Sequence, residues 1–323
     1  MQRESIHDAR VSVREKTDEI TYPATFEALL EYYQAEREPS PDTLRDYRVV
    51  VRQFVGYTQS NRLDTITRDQ IAAWRTYLRD TRQLAPASIN FYLRHLRALL
   101  RFADLYGYHS DIVLNGIKTV QTVKPTKKTL ERVAIREVLQ WLQDPAQSNL
   151  PGWFWEAVVK TFYYTGMRRR QLVGLTWGDI DTKQQTILLR GEHSKTKREW
   201  KIPLPSQLIQ VLADLRKLAE NKLERSCRRA DQVFNATLFR ATYKGNRMTV
   251  EQLSEALKRI SRGSGVLISS HRFRHTFATQ LAKEGNLRDL QKMLGHTNLS
   301  TTMEYVEPSV NQMRTMLGAI HEL

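Results

Sequence analysis

Two glycines interrupt a strongly helical stretch near the carboxyl end and constrain how the second half of the chain folds. The stretch spans 269–305 and reads SSHRFRHTFATQLAKEGNLRDLQKMLGHTNLSTTMEY. Gly285 and Gly295 each follow a run of helical periodicity, where a residue in the left-handed conformation commonly ends a helix. Asn286 is a candidate N-cap for the middle segment. The pattern therefore predicts short helices joined by tight turns and folded back on one another.

The predicted turns bring distant polar side chains together. In the middle helix the leucines recur at helical spacing and form a buried stripe: Leu287, Leu290 and Leu294. Thr301 with Glu304 forms a candidate capping box for a third helix, which puts Tyr305 on its first turns. With both turns formed, we expect Arg274, His296 and Tyr305 to converge.

These side chains suit phosphate chemistry. An arginine offers a bidentate fork to phosphate oxygens and keeps its charge. A histidine donates a hydrogen bond or moves a proton near neutral pH, and an activated tyrosine forms covalent intermediates. A lone histidine or tyrosine on a helix is more often structural, so the prediction depends on the ordered set.

The ordered motifs resemble the tyrosine recombinases of the phage integrase family. They are His271-x-x-Arg274-His275, Leu294-Gly295-His296 with Tyr305 nine residues later, an upstream Thr165-Gly166-Met167-Arg168, and His193-Ser194-Lys195-Thr196-Lys197 leading into Lys201-Ile202-Pro203-Leu204. The resemblance covers 130 to the carboxyl end well and the preceding part more loosely.

The resemblance implies a catalytic set of Arg168, Lys195, His271, Arg274, His296 and Tyr305. Both arginines would hold the phosphate, with a further hydrogen bond from His296, while Tyr305 attacks. Lys195 would protonate the leaving 5′ oxygen, and Lys197 is the alternative. His271 would either assist proton removal from the tyrosine or position the phosphate.

The chain departs from the family pattern three residues after the first arginine. The family usually has a carboxylate there, and this chain has Gln171. A carboxylate would orient His271 or Arg168 from outside the reacting groups. Glutamine can still form hydrogen bonds but carries no charge, so the substitution affects the expected rate rather than the reaction class.

The resemblance implies a site-specific DNA recombinase of the integrase or resolvase type, working through a 3′-phosphotyrosine intermediate and a Holliday junction. It implies a homotetramer on two DNA sites of a mobile element or chromosome, with room for accessory proteins, and no metal or cofactor. Two alternatives remain open. One is relaxation of DNA by a type IB topoisomerase-like enzyme, and the other is a non-catalytic DNA-binding regulator of a mobile element.

Charge and composition favour the same partner. The 323 residues carry a net charge of +15 with a pI near 9.9, which favours a polyanionic partner, most simply nucleic acid, with ribosome-like stickiness or membrane-surface binding as the alternatives. The resemblance implies that this partner is double-stranded DNA. No apolar run reaches the roughly 18 residues of a membrane span, and no secretory signal is recognisable. Cys227 is the single cysteine, which excludes an internal disulfide and fits a reducing compartment. We therefore expect a cytoplasmic, nucleoid-associated protein without a membrane partner.

The periodicity predicts a mainly α fold with a small β-hairpin in its carboxyl-terminal domain. Together with the resemblance, which implies the domain names, it predicts a polar tail over 1–21, a helical core-binding domain over 22–117, a linker over 118–129, and a catalytic domain over 130–323 that ends in a helix over 309–322. The catalytic domain should contain helices over 132–141, 152–164 and 205–222, a helix capped by Thr249, hairpin strands over 184–190 and 198–202, and a short strand near Val233.

Four helices are predicted in the first domain. Ser40 before Pro41 and Thr67 with Gln70 are start signals, and Ala87 or Ser88 opens the fourth helix. A basic stripe without an acidic partner at i±4 lies on that helix, and the linker contains four lysines. We therefore expect DNA phosphates to contact Arg94, Arg97, Arg101, Lys118, Lys124, Lys127 and Lys128, and the alternative is that these side chains are only solvated.

Overall fold

The computed structural model describes residues 24–105, 107, 119–121, 129–144, 151–193, 198–240, 242–243, 245–284, 286–306 and 314. The chain divides into two compact units, 1–125 and 126–323. This division falls inside the predicted linker, most of which lies outside the described residues, as does the predicted amino-terminal tail. The exact domain bounds stay a prediction.

The first unit is a helical bundle. Its helices are α1 (Phe26–Arg37), α2 (Pro41–Thr58), α3 (Arg68–Asp80) and α4 (Pro86–Leu105). Ser40 accepts from the backbone of Thr43, and Thr67 forms the predicted capping box with Gln70. Such caps each stabilise a helix by about 1 kcal/mol. The starts of α2 and α3 are therefore confirmed, whereas α4 begins at Pro86, slightly before the predicted position.

Aromatic packing fills the core of the bundle. Phe26, Phe54 and Trp74 are fully buried. The ring centroids of Phe26 and Phe54 are 5.8 Å apart and those of Phe54 and Trp74 are 4.9 Å apart, both edge-to-face. Edge-to-face pairs add about 0.5–1.5 kcal/mol beyond burial of their area. This core joins α1, α2 and α3, and α4 packs on all three.

The second unit combines helices with one small sheet. Its elements are α5 (Arg132–Gln143), α6 (Gly152–Thr165), α7 (Arg169–Gly174), β1 (Ile180–Asp181), β2 (Thr186–Leu189), β3 (Trp200–Pro203), α8 (Ser206–Leu223), α9 (Val250–Ser264), α10 (Ser270–Ala282), α11 (Leu287–Leu294) and α12 (Leu299–Met303). The prediction of a mainly α fold with a small sheet is confirmed. Helix α6 is central and packs against α5, α8 and α10.

The sheet has the order β1-β2-β3 and is antiparallel throughout. Ile187 pairs with Ile202, and both are buried, so this register points one apolar face of the hairpin into the core. The predicted hairpin is confirmed. The predicted strand near Val233 is wrong, because the described residues there form only an isolated bridge between Thr176 and Gln232.

Helices α10, α11 and α12 form the predicted set of short helices, with two corrections. Asn298, not Thr301, caps α12, because its side chain accepts from the backbone N–H of Ser300. Tyr305 consequently follows α12 and does not lie on its first turns. Asn286 caps α11 and Gly295 ends it at φ +64°, as predicted. Helix α10 ends with Lys283 as its C-cap, and Gly285 lies outside the described residues.

Candidate active site

Arg274 is the buried centre of the site. It lies on α10, whose start is capped by Ser269, and only 5% of its surface is exposed. Its Nη1 donates to the carbonyl of Gly166 at 3.0 Å and its Nη2 donates to the carbonyl of Leu294 at 2.6 Å. Burial and the charge of Arg168 lower the pKa of Arg274 to about 10, while Tyr305 opposes this shift. One guanidinium therefore links the end of α6 to the end of α11.

Arg168 reaches the same place from a tight turn. Gly166 ends α6 with φ +59°, and a Cβ there would lie 2.4 Å from Cδ1 of Phe277, so only glycine fits. Two residues later the backbone N–H of Arg168 donates to Oε1 of the buried Gln171 at 2.7 Å. Burial lowers the pKa of the Arg168 guanidinium, and Tyr305 partly offsets it. The buried Nη1 of Arg168 makes no hydrogen bond within the described residues.

His296 follows Gly295 directly and turns its ring towards Arg274. Its Nε2 lies 3.0 Å from Nη2 of Arg274, and its Nδ1 lies 3.0 Å from the hydroxyl of the fully buried Thr302. Because arginine can only donate, Nε2 is the acceptor and the proton is on Nδ1. Burial, Arg274 and Arg168 lower the pKa of His296 to about 4, so the imidazole is neutral at pH 7.

Tyr305 closes the site. Its backbone N–H donates to the carbonyl of Thr302 at 3.0 Å, and only 5% of the residue is exposed. Its ring stacks on that of His296 with centroids 6.1 Å apart and planes 14° apart. The Tyr305 ring also contacts that of His275, with centroids 5.1 Å apart. The phenol is thus held among histidines with both arginines close enough to interact electrostatically.

His271 occupies the first turn of α10. Its Nε2 lies 2.8 Å from Nε2 of His275, one helical turn on. Desolvation, Arg274 and Arg169 lower the pKa of His271. Sequence reasoning assigned no role to His275, although the i, i+4 spacing with His271 signals the contact. It also missed Thr302, for which the sequence offers no comparable signal.

The structure thus brings Arg168, His271, Arg274, His296 and Tyr305 together. Lys195 and its alternative Lys197 lie outside the described residues, as do Lys118, Lys124, Lys127 and Lys128. Arg94, Arg97 and Arg101 lie on α4 in the other unit, where Arg94 and Arg101 are exposed and Arg97 is half-buried and has an interaction partner. In the described part of the chain no group of His, Cys, Asp and Glu has the arrangement of a metal site.

Family models match both units. The model of the phage integrase family matches residues 128–312, which is more than half of the chain, and the model of the phage integrase N-terminal SAM-like domain matches residues 26–107. This chain belongs to the phage integrase family.

Curated relatives agree with this assignment. A putative tyrosine recombinase XerC of Pseudomonas syringae is 32% identical over 309 residues, covering 92% of this chain and 64% of that protein. A second, from Pseudomonas aeruginosa, is 32% identical and is covered over 60% of its length. This chain therefore spans less than two thirds of the length of either Pseudomonas protein. Tyrosine recombinase XerD of Listeria innocua is 27% identical, with 90% of this chain and 96% of the relative covered.

Solved structures share the fold. The Tn1549 transposon integrase in complex with circular-intermediate DNA superposes with a TM-score of 0.72 at 18% identity, covering 90% of this chain and 98% of that one. A lambda integrase dimer bound to a core site superposes with a TM-score of 0.68 at 17% identity, covering 95% and 88%. Among the helices that the structure describes, none is long and apolar enough to span a membrane.

Proposed function

We propose that this chain is a site-specific DNA recombinase that cuts and rejoins double-stranded DNA through a 3′-phosphotyrosine. The observation that carries the proposal is the placement of Tyr305 against His296, the buried Arg274 and the half-buried Arg168. The buried Nη1 atom of Arg168, which has no hydrogen-bond partner within the described residues, is suited to an anionic oxygen. Family membership supports the same chemistry.

In the proposed reaction the Tyr305 oxygen attacks the phosphorus in line. A tyrosine O–P bond forms, the bond from phosphorus to the 5′ oxygen breaks, and the leaving oxygen takes a proton from Lys195 or Lys197. The tyrosine proton goes to the His271–His275 pair. Arg168 and Arg274 stabilise the charge gathered on the non-bridging oxygens, a type of interaction that contributes about 3–4 kcal/mol per donor in enzymes.

His296 contributes to the same stabilisation in this proposal. In the free protein its Nε2 accepts from Arg274 and so has no proton to give. An anionic phosphate beside the ring favours the cationic form and raises the pKa. We expect DNA binding to release Nε2 from its contact with Arg274 and to protonate it, so that His296 then donates to a phosphate oxygen. Because the ester bond energy is retained in the phosphotyrosine, rejoining to a new strand needs no cofactor.

Strand exchange between two duplexes requires four cuts, so we assign the active form as a homotetramer on two DNA sites that passes through a Holliday junction. The solved structures similar in fold include a lambda integrase tetramer bound to a Holliday junction. The predicted carboxyl-terminal helix over 309–322, of which the structure describes only residue 314, would link the protomers. Integration, excision and resolution are alternative outcomes of the same strand exchange.

A nicked suicide substrate tests the proposal, because it traps the covalent adduct. The Tyr305→Phe variant should bind DNA like the wild type and form no adduct. Tyr243→Phe is the matched control, since that hydroxyl bonds Arg259 in the same unit and should not affect adduct formation. An adduct with Tyr305→Phe would assign the nucleophile to another residue.

A second experiment separates the alternative functions. Exchange between paired sites, compared with relaxation of supercoiled DNA, distinguishes a recombinase from a type IB topoisomerase. Failure of every DNA to yield an adduct would favour a regulator.

A further inference from the structure

Trp200 connects the small sheet to the turn that carries His296. It is the first residue of β3, and its half-buried indole extends to the end of α11. The indole Nε1–H donates to the carbonyl of Met293 at 3.2 Å. The two residues are 93 positions apart in the chain, so the contact joins separate parts of the second unit.

The indole also lies directly on Gly295. A Cβ at Gly295 would lie 2.3 Å from Cη2 and Cζ2 of Trp200, much closer than any carbon contact allows. Gly295 in addition has φ +64°, which non-glycine residues adopt at a cost. Glycine is therefore required there for two reasons, the backbone conformation and the contact with the tryptophan.

The turn over 293–296 is shared between Trp200 and Arg274. Trp200 binds the carbonyl of Met293, and Arg274 Nη2 binds the next carbonyl, that of Leu294, at 2.6 Å. The same Nη2 atom lies 3.0 Å from Nε2 of His296. A shift of this turn would therefore move the acceptors that hold the guanidinium as well as the imidazole.

Helix α11 alone is poorly suited to fix the turn. It has eight residues, of which only Leu290 and Leu294 are buried, and helices this short are marginal without tertiary contacts. Trp200 supplies such a contact at the end of the helix that leads into His296. The indole bond also satisfies a carbonyl at the helix end, which has no partner within the helix.

We propose that Trp200 is a positioning residue for phosphoryl transfer. Through the turn over 293–296 it sets the guanidinium of Arg274 and the ring of His296 for contact with the non-bridging phosphate oxygens. The proposal rests on the proposed function, since it assumes that a phosphate binds at this site. It predicts a defect in the chemical step rather than in DNA binding.

Trp200→Phe tests this with little loss of packing, because phenylalanine keeps an aromatic ring but loses the indole N–H and part of the contact with Gly295. Adduct formation at saturating DNA should slow by about 10- to 100-fold, the effect of displacing a reacting group by about 1 Å. The Kd for DNA should stay within about threefold of wild type, a change of less than about 0.7 kcal/mol in binding free energy. Trp177→Phe is the control, a buried tryptophan of the same unit that packs under Arg216. Equal slowing in both variants would contradict the proposal.

Two modified substrates give readouts that a merely structural role would not change. A methylphosphonate lacks one non-bridging charge, so the Trp200→Phe defect, relative to wild type on the same DNA, should shrink. A 5′-bridging sulfur leaves without a proton, so on that substrate the defect should persist. Relief by sulfur and not by methylphosphonate would place the effect of Trp200 on the leaving group and overturn the proposal. Absence of a wild-type adduct on all substrates would instead overturn the proposed function.

A double-variant cycle tests the contact itself. Gly295→Ala introduces a clash with the indole and a strained φ, so it should slow adduct formation strongly when Trp200 is present. In the Trp200→Ala background the clash is gone, and the added loss should be at least about threefold smaller, as expected for residues in direct contact. Independent, multiplicative losses would show that the indole does not position the turn.

Discussion

Nη2 of Arg274 lies 3.0 Å from Nε2 of His296, and the only proton-bearing partner in this pair is the arginine. The contact fixes the histidine in its neutral form with the proton on Nδ1, which faces the hydroxyl of Thr302. The active site of the free protein is therefore rich in positive charge and holds a neutral imidazole between its arginine and its tyrosine. The positive charge favours capture of an anion, whereas the imidazole must first gain a proton to donate to it.

The depressed pKa of His296 predicts a stability that depends on pH. The imidazole of the unfolded chain has the ordinary histidine pKa of 6.5 and burial lowers the folded pKa to about 4, so between these values the unfolded state binds more protons. Stability should be full above pH 6.5 and be lost as pH falls towards 4. After allowance for the partial exposure of the ring, the loss is on the order of 1 kcal/mol.

Urea unfolding at pH 7.5 and pH 5 measures this effect. His296→Asn removes the titrating group, so the variant should lose less stability between the two pH values than the wild type. His271, whose pKa is also lowered, remains in both proteins and cancels in the comparison. The same pH dependence in the wild type and the variant would contradict the assignment.

The acid that protonates the leaving oxygen is predicted to be Lys195. Lys195→Ala should slow cleavage of ordinary DNA by about 10²- to 10⁴-fold, the usual contribution of a general acid. A 5′-bridging sulfur substrate should restore cleavage, because a thiolate leaves without a proton. Lys197→Ala is the matched variant two residues away and should react normally with both substrates. Rescue by sulfur in Lys197→Ala alone would transfer the role to Lys197.

Gln171 is predicted to position Arg168. Its buried Oε1 accepts from the Arg168 backbone N–H, so Gln171→Leu leaves a buried donor unpaired at a cost of about 1–3 kcal/mol. Urea unfolding should report that loss, and adduct formation should slow. Gln171→Glu keeps an acceptor at the same place and is the control, which should retain the activity. If Gln171→Leu were as stable and as active as the wild type, Gln171 would not position Arg168.

Much of this architecture could be predicted from local signals. Ser40, Thr67, Thr249 and Asn286 each cap a helix at the predicted place, because a cap depends on residues three positions apart. The predicted start of α12 was wrong because Asn298 and Thr301 are both residue types that cap helices. The fully buried Thr302, which binds His296, is a tertiary feature that selects between them.

Other features depend on contacts that no local pattern encodes. Strand β1 has two residues, too few to show an alternation. The contact of Trp200 with Gly295 and the approach of Phe277 to Gly166 join residues about a hundred positions apart. The sequence motifs identified which residues gather at the site, whereas the partners of each atom, and hence the tautomer of His296, follow only from the folded geometry.

The basic stripe on α4 is predicted to contact DNA phosphates. Arg94 and Arg101 are exposed, and each phosphate that a cation neutralises contributes about 0.9 to the slope of log binding constant against log salt. Arg94→Gln should therefore reduce the magnitude of that slope by about 0.9, the contribution of one phosphate contact. It should weaken binding to specific and random duplexes alike.

Arg79→Gln is the control, because it removes the same formal charge from an exposed arginine of the same unit. Its guanidinium is paired with Asp80 at 2.6 Å, so it is not expected to neutralise a phosphate, and the slope should not change. Titrations at several salt concentrations measure both variants against the wild type. An equal change of slope in the two variants would indicate that net charge, rather than the stripe, determines affinity. An unchanged slope in Arg94→Gln would exclude this face of α4 from the DNA contact.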